Sequence, residues 1–235
     1  MKYYIIAGEA SGDLHGSNLM KEIKKLDSDA VFRVWGGDLM RDQGDQLVKH
    51  YKDLAFMGFT EVIANLRTIL RNISFCKNDI QEFNPDVLIL IDYPGFNLRI
   101  AEYANKSGYK VFYYISPQIW AWKQSRVKKI QSFVHKMFVI LPFEKKFYQK
   151  FDYSVDFVGH PLVDVIHEYR KNHVNDSDGN NDMVSNNKTI ALLPGSRKQE
   201  IKTKLPVMVQ VAKKFPDYRF VVAATRTIGK DFYRE

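Results

Sequence analysis

Pro85-Asp86-Val87-Leu88-Ile89-Leu90-Ile91-Asp92-Tyr93-Pro94-Gly95-Phe96-Asn97 is the stretch whose reading decides the fold. Val87 to Ile91 are consecutive apolar residues, too few for a buried helix and without alternation. Such a run reads as a strand covered on both faces, as in a parallel sheet. Asp92 ends it, Pro94 and Gly95 turn the chain, and Asn97 is placed to cap a helix from Leu98 to Lys106. Ligands of open α/β sheets sit at the carboxyl ends of strands, so Asp92 stands where a catalytic carboxylate belongs.

The same grammar recurs on either side. Lys2 to Ala7 reads as a strand, then a glycine-rich turn and a helix to about Leu26. Val31 to Trp35, Lys110 to Ile115, Met137 to Leu141 and Val155 to Val158 read as further strands. Strands alternating with helices predict an α/β fold, a doubly wound parallel sheet. The segment 171–187 is rich in Asn and Asp and reads as a linker or surface loop. After it the pattern restarts: Thr189 to Leu193, a turn at Pro194-Gly195-Ser196-Arg197, a helix to about Phe215 and a strand from Arg219 to Ala224. The expected domains are 1–170, the linker 171–187 and a second domain opening at 188–235. The short stretch after the linker is below the usual size of an α/β domain, which predicts a piece of a longer protein.

Of the 235 residues 45% are hydrophobic and 14% aromatic, enough for a real core. The single cysteine, Cys76, excludes an internal disulfide and fits a reducing compartment. No N-terminal signal or membrane span is expected. Net charge is +8, and the segment from Lys123 to Lys150 holds eight basic residues against one acid, Glu144. That segment reads either as a surface for an anionic partner or as a solvated helix face.

Gly8-Glu9-Ala10-Ser11-Gly12-Asp13-Leu14-His15-Gly16 aims backbone N–H groups and a helix N-terminus at whatever lies before them. Its spacing fits neither the dinucleotide fingerprint nor a P-loop, and a plain tight turn is the competing reading. Phe59, Val62, Ile63, Leu66, Ile69, Leu70 and Ile73 form one helical stripe beside Arg67 and Arg71. It reads as core or as a face lying in a membrane interface. Ser116-Pro117-Gln118-Ile119-Trp120-Ala121-Trp122 follows a strand end and offers loop packing or an apolar wall for a sugar or acyl group. Asp27-Ser28-Asp29 and Asp176-Ser177-Asp178 read as surface turns, no Cys/His cluster has metal spacing, and no metal is predicted. Ser116 and Ser196 lie outside any nucleophile elbow, so His15, His135, His160 and His167 do not point to hydrolase chemistry.

Taken in order, several motifs resemble the lipid-A-disaccharide synthase family. They are Gly8 to Asp13, Leu54 to Gly58 with Glu61-Val62, and Ile91-Asp92 with Pro94 and Phe96-Asn97. Next come Ser116-Pro117 with Trp120 to Trp122, Leu141 to Glu144, Val158 to His160, and Leu192 to Arg197. The resemblance implies an inverting glycosyltransferase of lipid A biosynthesis in Gram-negative bacteria, with a GT-B fold of two Rossmann-like domains and no metal or cofactor. Its implied donor is UDP-2,3-diacylglucosamine and its acceptor 2,3-diacylglucosamine 1-phosphate. On this reading Asp92 is the general base. Gly8, Glu9, Ser11, Gly12, Asn97, Ser116, Gln118, Trp120, Gly195, Ser196 and Arg197 line the substrate sites. Phe59, Val62, Ile63, Leu66, Ile69 and Leu70 meet an anionic inner-membrane surface from the cytoplasmic side. Nucleic acid is not an expected partner, and a homodimer is left open. Gly95 stands where many relatives carry a second acid, which leaves Asp92 as the loop's only carboxylate. Two alternatives stay open: a lipid-binding fragment without catalysis, and a UDP-sugar epimerase on the same fold.

Overall fold

A computed structural model describes residues 1–44, 46–54, 66–173, 188–225 and 228–233. The chain divides into two compact units, Met1–His167 and Glu168–Glu235.

The first unit is built on a parallel sheet: β1 (Lys2–Ala7), β2 (Val31–Gly36), β3 (Gln46–His50), β4 (Val87–Ile91), β5 (Lys110–Tyr114), β6 (Lys136–Val139) and β7 (Asp156–Phe157). Their spatial order is β3-β2-β1-β4-β5-β6-β7, the doubly wound arrangement. The order reverses direction between β1 and β4, so the opening stretch of the sequence lies on one side of the switch point. All five residues of β4 are buried, as a strand covered on both faces requires.

The side chains of β4 alternate between two cores. Leu88 and Leu90 join Tyr4, Ile6, Val111 and Tyr113 on one face. That face is covered by α3 (Leu66–Phe83), α4 (Pro94–Lys106), α5 (Val127–Phe133) and α6 (Pro142–Gln149). Val87, Ile89 and Ile91 join Ile5, Phe32 and Val34 on the other, under Met20 of α1 (Ala10–Leu26) and Met40 of α2 (Asp38–Arg41).

A buried polar chain registers α3 on the sheet. The Trp35 indole N–H donates to the Tyr4 hydroxyl, which donates to Asp79, and Asp79 pairs with Arg33 at 2.7 Å. Removing Arg33 would cost about 3–5 kcal/mol, because the Asp79 charge would stay behind buried without its ion pair. Cys76 lies beside it as a buried free thiol.

The helix after Asp92 begins four residues earlier than its expected start at Leu98. Pro94 occupies its first turn, where a missing N–H costs nothing and φ is already helical, so Asn97 is no cap. The short elements β3 and α2 had no apolar run to announce them. The helix expected to reach Phe215 ends earlier, at Ala212, and the strand expected to reach Ala224 ends at Val222.

The second unit contains a single parallel β-α-β motif among its described residues: β8 (Thr189–Leu192), α8 (Lys198–Ala212) and β9 (Arg219–Val222). Helix α7 (Leu162–His173) runs across the division between the units.

Candidate active site

The switch point is assembled by register. Ala7 pairs with Ile91, so Gly8 and Asp92 leave the sheet side by side at its carboxyl edge. There the Tyr93 ring lies on the Gly8 backbone: a Cβ on residue 8 would sit 2.3 Å from Tyr93 Cγ. Only glycine admits that approach. The Tyr93 ring also stacks on Phe96, and its hydroxyl donates to the Leu54 carbonyl at 3.2 Å. Burial, and after it the charge of Glu9, pushes the Tyr93 phenol above its ordinary range.

Asp92 and Tyr93 are both left-handed, with φ of 43° and 48°. Such a conformation costs roughly 1–2 kcal/mol per non-glycine residue and marks sites where the surroundings over-determine the backbone. The surroundings here are Asn97 and Tyr113. The Asn97 amide donates to the carbonyls of Ile91 at 3.2 Å and Asp92 at 2.8 Å, and the Tyr113 hydroxyl donates to the same Asp92 carbonyl. Asn97 is fully buried beneath the turn. Asp92 itself is partly exposed.

In the glycine-rich turn, Ser11 is exposed, Glu9 half-buried and Gly12 buried within α1. Asp13 is turned away from the open edge. It accepts from the N–H groups of Gly37 at 2.7 Å, Met40 at 2.9 Å and Leu39 at 3.2 Å, capping α2. His15 is buried edge-on against His160, ring centroids 6.4 Å apart, with its Nδ1 unpartnered among the described residues. Burial, then His160, holds its pKa below the ordinary imidazole value.

The loop after β5 divides by burial. Ser116 is buried and bonds the Tyr148 hydroxyl at 2.7 Å, so it anchors the loop. Glu144 does the same from below, accepting from Ile140 and Leu141. Gln118 is exposed, and Trp120 is half-buried with its edge toward Phe143. Trp122 is 59% exposed, with Lys123 and Arg126 over its ring. On α3 the stripe splits: Ile73 is buried and Ile69 packs on the core, whereas Leu66 and Leu70 are about half exposed beside Arg67 and Arg71. Phe59, Val62 and Ile63 lie outside the described residues, as do most of the Leu54–Gly58 motif and Asp176–Asp178.

In the second unit, Gly195 has φ of 123° and Ser196 and Arg197 lead into α8. Sequence reasoning missed Glu200, one turn inside that helix. It accepts from the Ser196 N–H at 3.3 Å and lies 3.6 Å from the Arg197 guanidinium. The signal was available: an acid three residues after the N-cap favours a helix start.

A separate groove of about 800 Å³ lies on the sheet's other face, against Tyr3, Leu19, Ile89, Phe112, Phe138 and Val163. None of the expected substrate residues lines it. Among the described residues no cluster of three or more His, Cys, Asp or Glu is arranged to hold a metal ion.

The chain matches the family model described as Lipid-A-disaccharide synthetase over residues 3–232. It is 40% identical over 232 residues to the lipid-A-disaccharide synthase of Trichlorobacter lovleyi, covering 97% of this chain and 60% of that protein. Against the enzyme of Geobacter metallireducens it is 42% identical, covering 93% and 57%. The chain thus spans about 60% of the length of these curated relatives. Among solved structures, UDP-GlcNAc 2-epimerase from Neisseria meningitidis superposes with a TM-score of 0.66 at 14% identity, over all of this chain and 68% of that one. A glycosyltransferase of kitacinnamycin superposes with a TM-score of 0.57 at 11% identity, over 97% and 66%. These likenesses show the fold, of GT-B type.

Proposed function

The chain belongs to the lipid-A-disaccharide synthase family, and from that premise we propose that it serves an inverting glycosyl transfer from UDP-2,3-diacylglucosamine to 2,3-diacylglucosamine 1-phosphate. The observation that carries this reading is the position of Asp92: a carboxylate on a strained turn at the switch point, beside the glycine-rich turn of β1.

In the proposed step the Asp92 carboxylate accepts the proton of the acceptor's 6-hydroxyl as that oxygen attacks the donor's anomeric carbon. The bond from that carbon to the diphosphate oxygen breaks with inversion, and UDP leaves. Arg197 and the N–H groups opening α8 suit the developing charge of the diphosphate. The first unit takes the acceptor, along the edge made by Glu9, Ser11, Gln118 and Trp120, and the second takes the donor.

The membrane partner belongs to the same proposal. Leu66 and Leu70 with Arg67 and Arg71, and the basic segment around the exposed Trp122, form surfaces suited to anionic lipid. No described helix is long and apolar enough to cross a membrane; the association proposed here is peripheral, on the cytoplasmic face. The exposed apolar groups also favour a second reading, lipid binding without catalysis by the chain as it stands.

Product analysis separates the readings. Acceptor-dependent release of UDP with formation of a tetraacyl disaccharide supports transfer, and binding to anionic vesicles without product supports the second. For the active enzyme, Asp92→Asn abolishes turnover while UDP binding survives; retained turnover removes Asp92 from the role of base.

A further inference from the structure

The Asp92 carbonyl is part of the peptide unit between Asp92 and Tyr93, whose orientation is set by ψ of the first residue and φ of the second. Both residues are left-handed. Two side chains from different elements grip that one oxygen. Asn97 reaches back from α4 at 2.8 Å, and Tyr113 reaches across from the neighbouring strand β5. A carbonyl oxygen has two lone pairs, and these two donors occupy both. Tyr113 is fully buried. Its register partner on β4 is Leu90, two residues before Asp92, which sets its hydroxyl level with the strand end.

We propose that Tyr113 is a positioning residue for Asp92. Its hydroxyl holds the 92–93 peptide plane, and with it the direction of the Asp92 Cα–Cβ bond, so that the carboxylate is presented at the sheet edge. Left to local preference, an aspartate and a tyrosine would take right-handed or extended conformations, which turn the Cβ elsewhere. The opposite end of the turn is held independently by the Tyr93 ring against Gly8. A phenol this deeply buried stays protonated far above neutral pH and therefore stays a donor. This inference rests on the reading of Asp92 as the base.

The test compares Tyr113→Phe with Tyr153→Phe. Tyr153 also donates its hydroxyl to a backbone carbonyl, that of Val134, away from the site, so each change removes one oxygen and one comparable hydrogen bond. In the product of the complete reading frame, Tyr113→Phe is expected to lower kcat about 10- to 100-fold, the range for a misaligned catalytic group, with acceptor KM nearly unchanged. Tyr153→Phe is expected to lower the melting temperature alike and leave kcat in place. In the 235-residue chain, NMR three-bond HN–Hα couplings and Cα shifts at Asp92 and Tyr93 should leave the left-handed range in Tyr113→Phe only. Unchanged couplings, or equal kcat in the two variants, overturns the proposal. If instead Asp92→Asn remains active, the reading of Asp92 as base fails, and the couplings still decide whether Tyr113 holds the turn.

Discussion

The Tyr93 ring rests directly on the Gly8 backbone, so a single added carbon at residue 8 would lie 2.3 Å from Tyr93 Cγ. The contact joins the loops after β1 and β4 at the place where the sheet reverses its order. Gly8→Ala must therefore displace the ring, which is tied to Leu54 and Phe96 and cannot swing freely. The expected cost is about 1–3 kcal/mol of stability, the size of an overpacked core contact. Urea denaturation measures it, and in a Tyr93→Ala background the same Gly8→Ala change should cost little. An equal cost of Gly8→Ala in both backgrounds would place the clash elsewhere.

Asp13 caps α2 through three backbone N–H groups. Asp13→Ala leaves those donors buried without an acceptor and should cost about 1–3 kcal/mol. Asp13→Asn keeps one acceptor oxygen and should cost less. Equal stability of the alanine variant and the parent chain, by chemical denaturation, would remove the cap from the account.

Stability should fall on mild acidification through His15. Burial holds its folded pKa below the ordinary 6.5, so its contribution is present above that value. The contribution is lost as pH falls from 6.5 through the depressed folded value, because the unfolded chain takes up the proton first. Comparing urea midpoints at about pH 7.5 and pH 5.5, His15→Gln should lose less stability than the parent chain. An identical loss in both would assign the pH dependence to other groups.

The split stripe on α3 separates surface from core. Leu66→Ser with Leu70→Ser should reduce co-sedimentation with phosphatidylglycerol vesicles several-fold while changing stability by no more than about 0.5 kcal/mol. Ile73→Ser, in the core, should cost about 2–4 kcal/mol whether or not vesicles are present. Unaltered vesicle binding by the double variant would leave the basic segment as the membrane-facing surface.

Glu200 places a negative charge beside the Ser196 N–H and Arg197. If these groups face the diphosphate, Glu200 competes with it. Glu200→Gln should then tighten UDP binding by about two- to fivefold at low ionic strength, the worth of a partly exposed ion pair. The gain should shrink as salt is raised. Weaker binding in calorimetry would instead make Glu200 a ligand contact.

What could be read along the chain was local. The strands from Lys2 and from Val87 were legible because their apolar residues are contiguous, and the turns because Gly and Pro punctuate them. Asp92 was legible for the same reason: an acid that ends an apolar run marks a strand's carboxyl end. The edge strand Gln46–His50 carries no such run, since an edge strand here is only half-buried. Leu66 and Leu70 shared a period with Ile69 and Ile73, and period alone does not say which side of a helix meets the sheet.

By itself, then, the sequence determined that this is a parallel α/β chain, where β1 and β4 end, and which family its ordered motifs resemble. Only the tertiary structure decided what each polar side chain does at those ends. Asp13 is claimed by α2, Asn97 and Tyr113 close on one carbonyl, and Glu200 enters the turn before α8. The physical reason is register: strand pairing fixes neighbours tens of residues apart, as with Ala7 and Ile91. A buried polar group must then take whatever partner that register supplies.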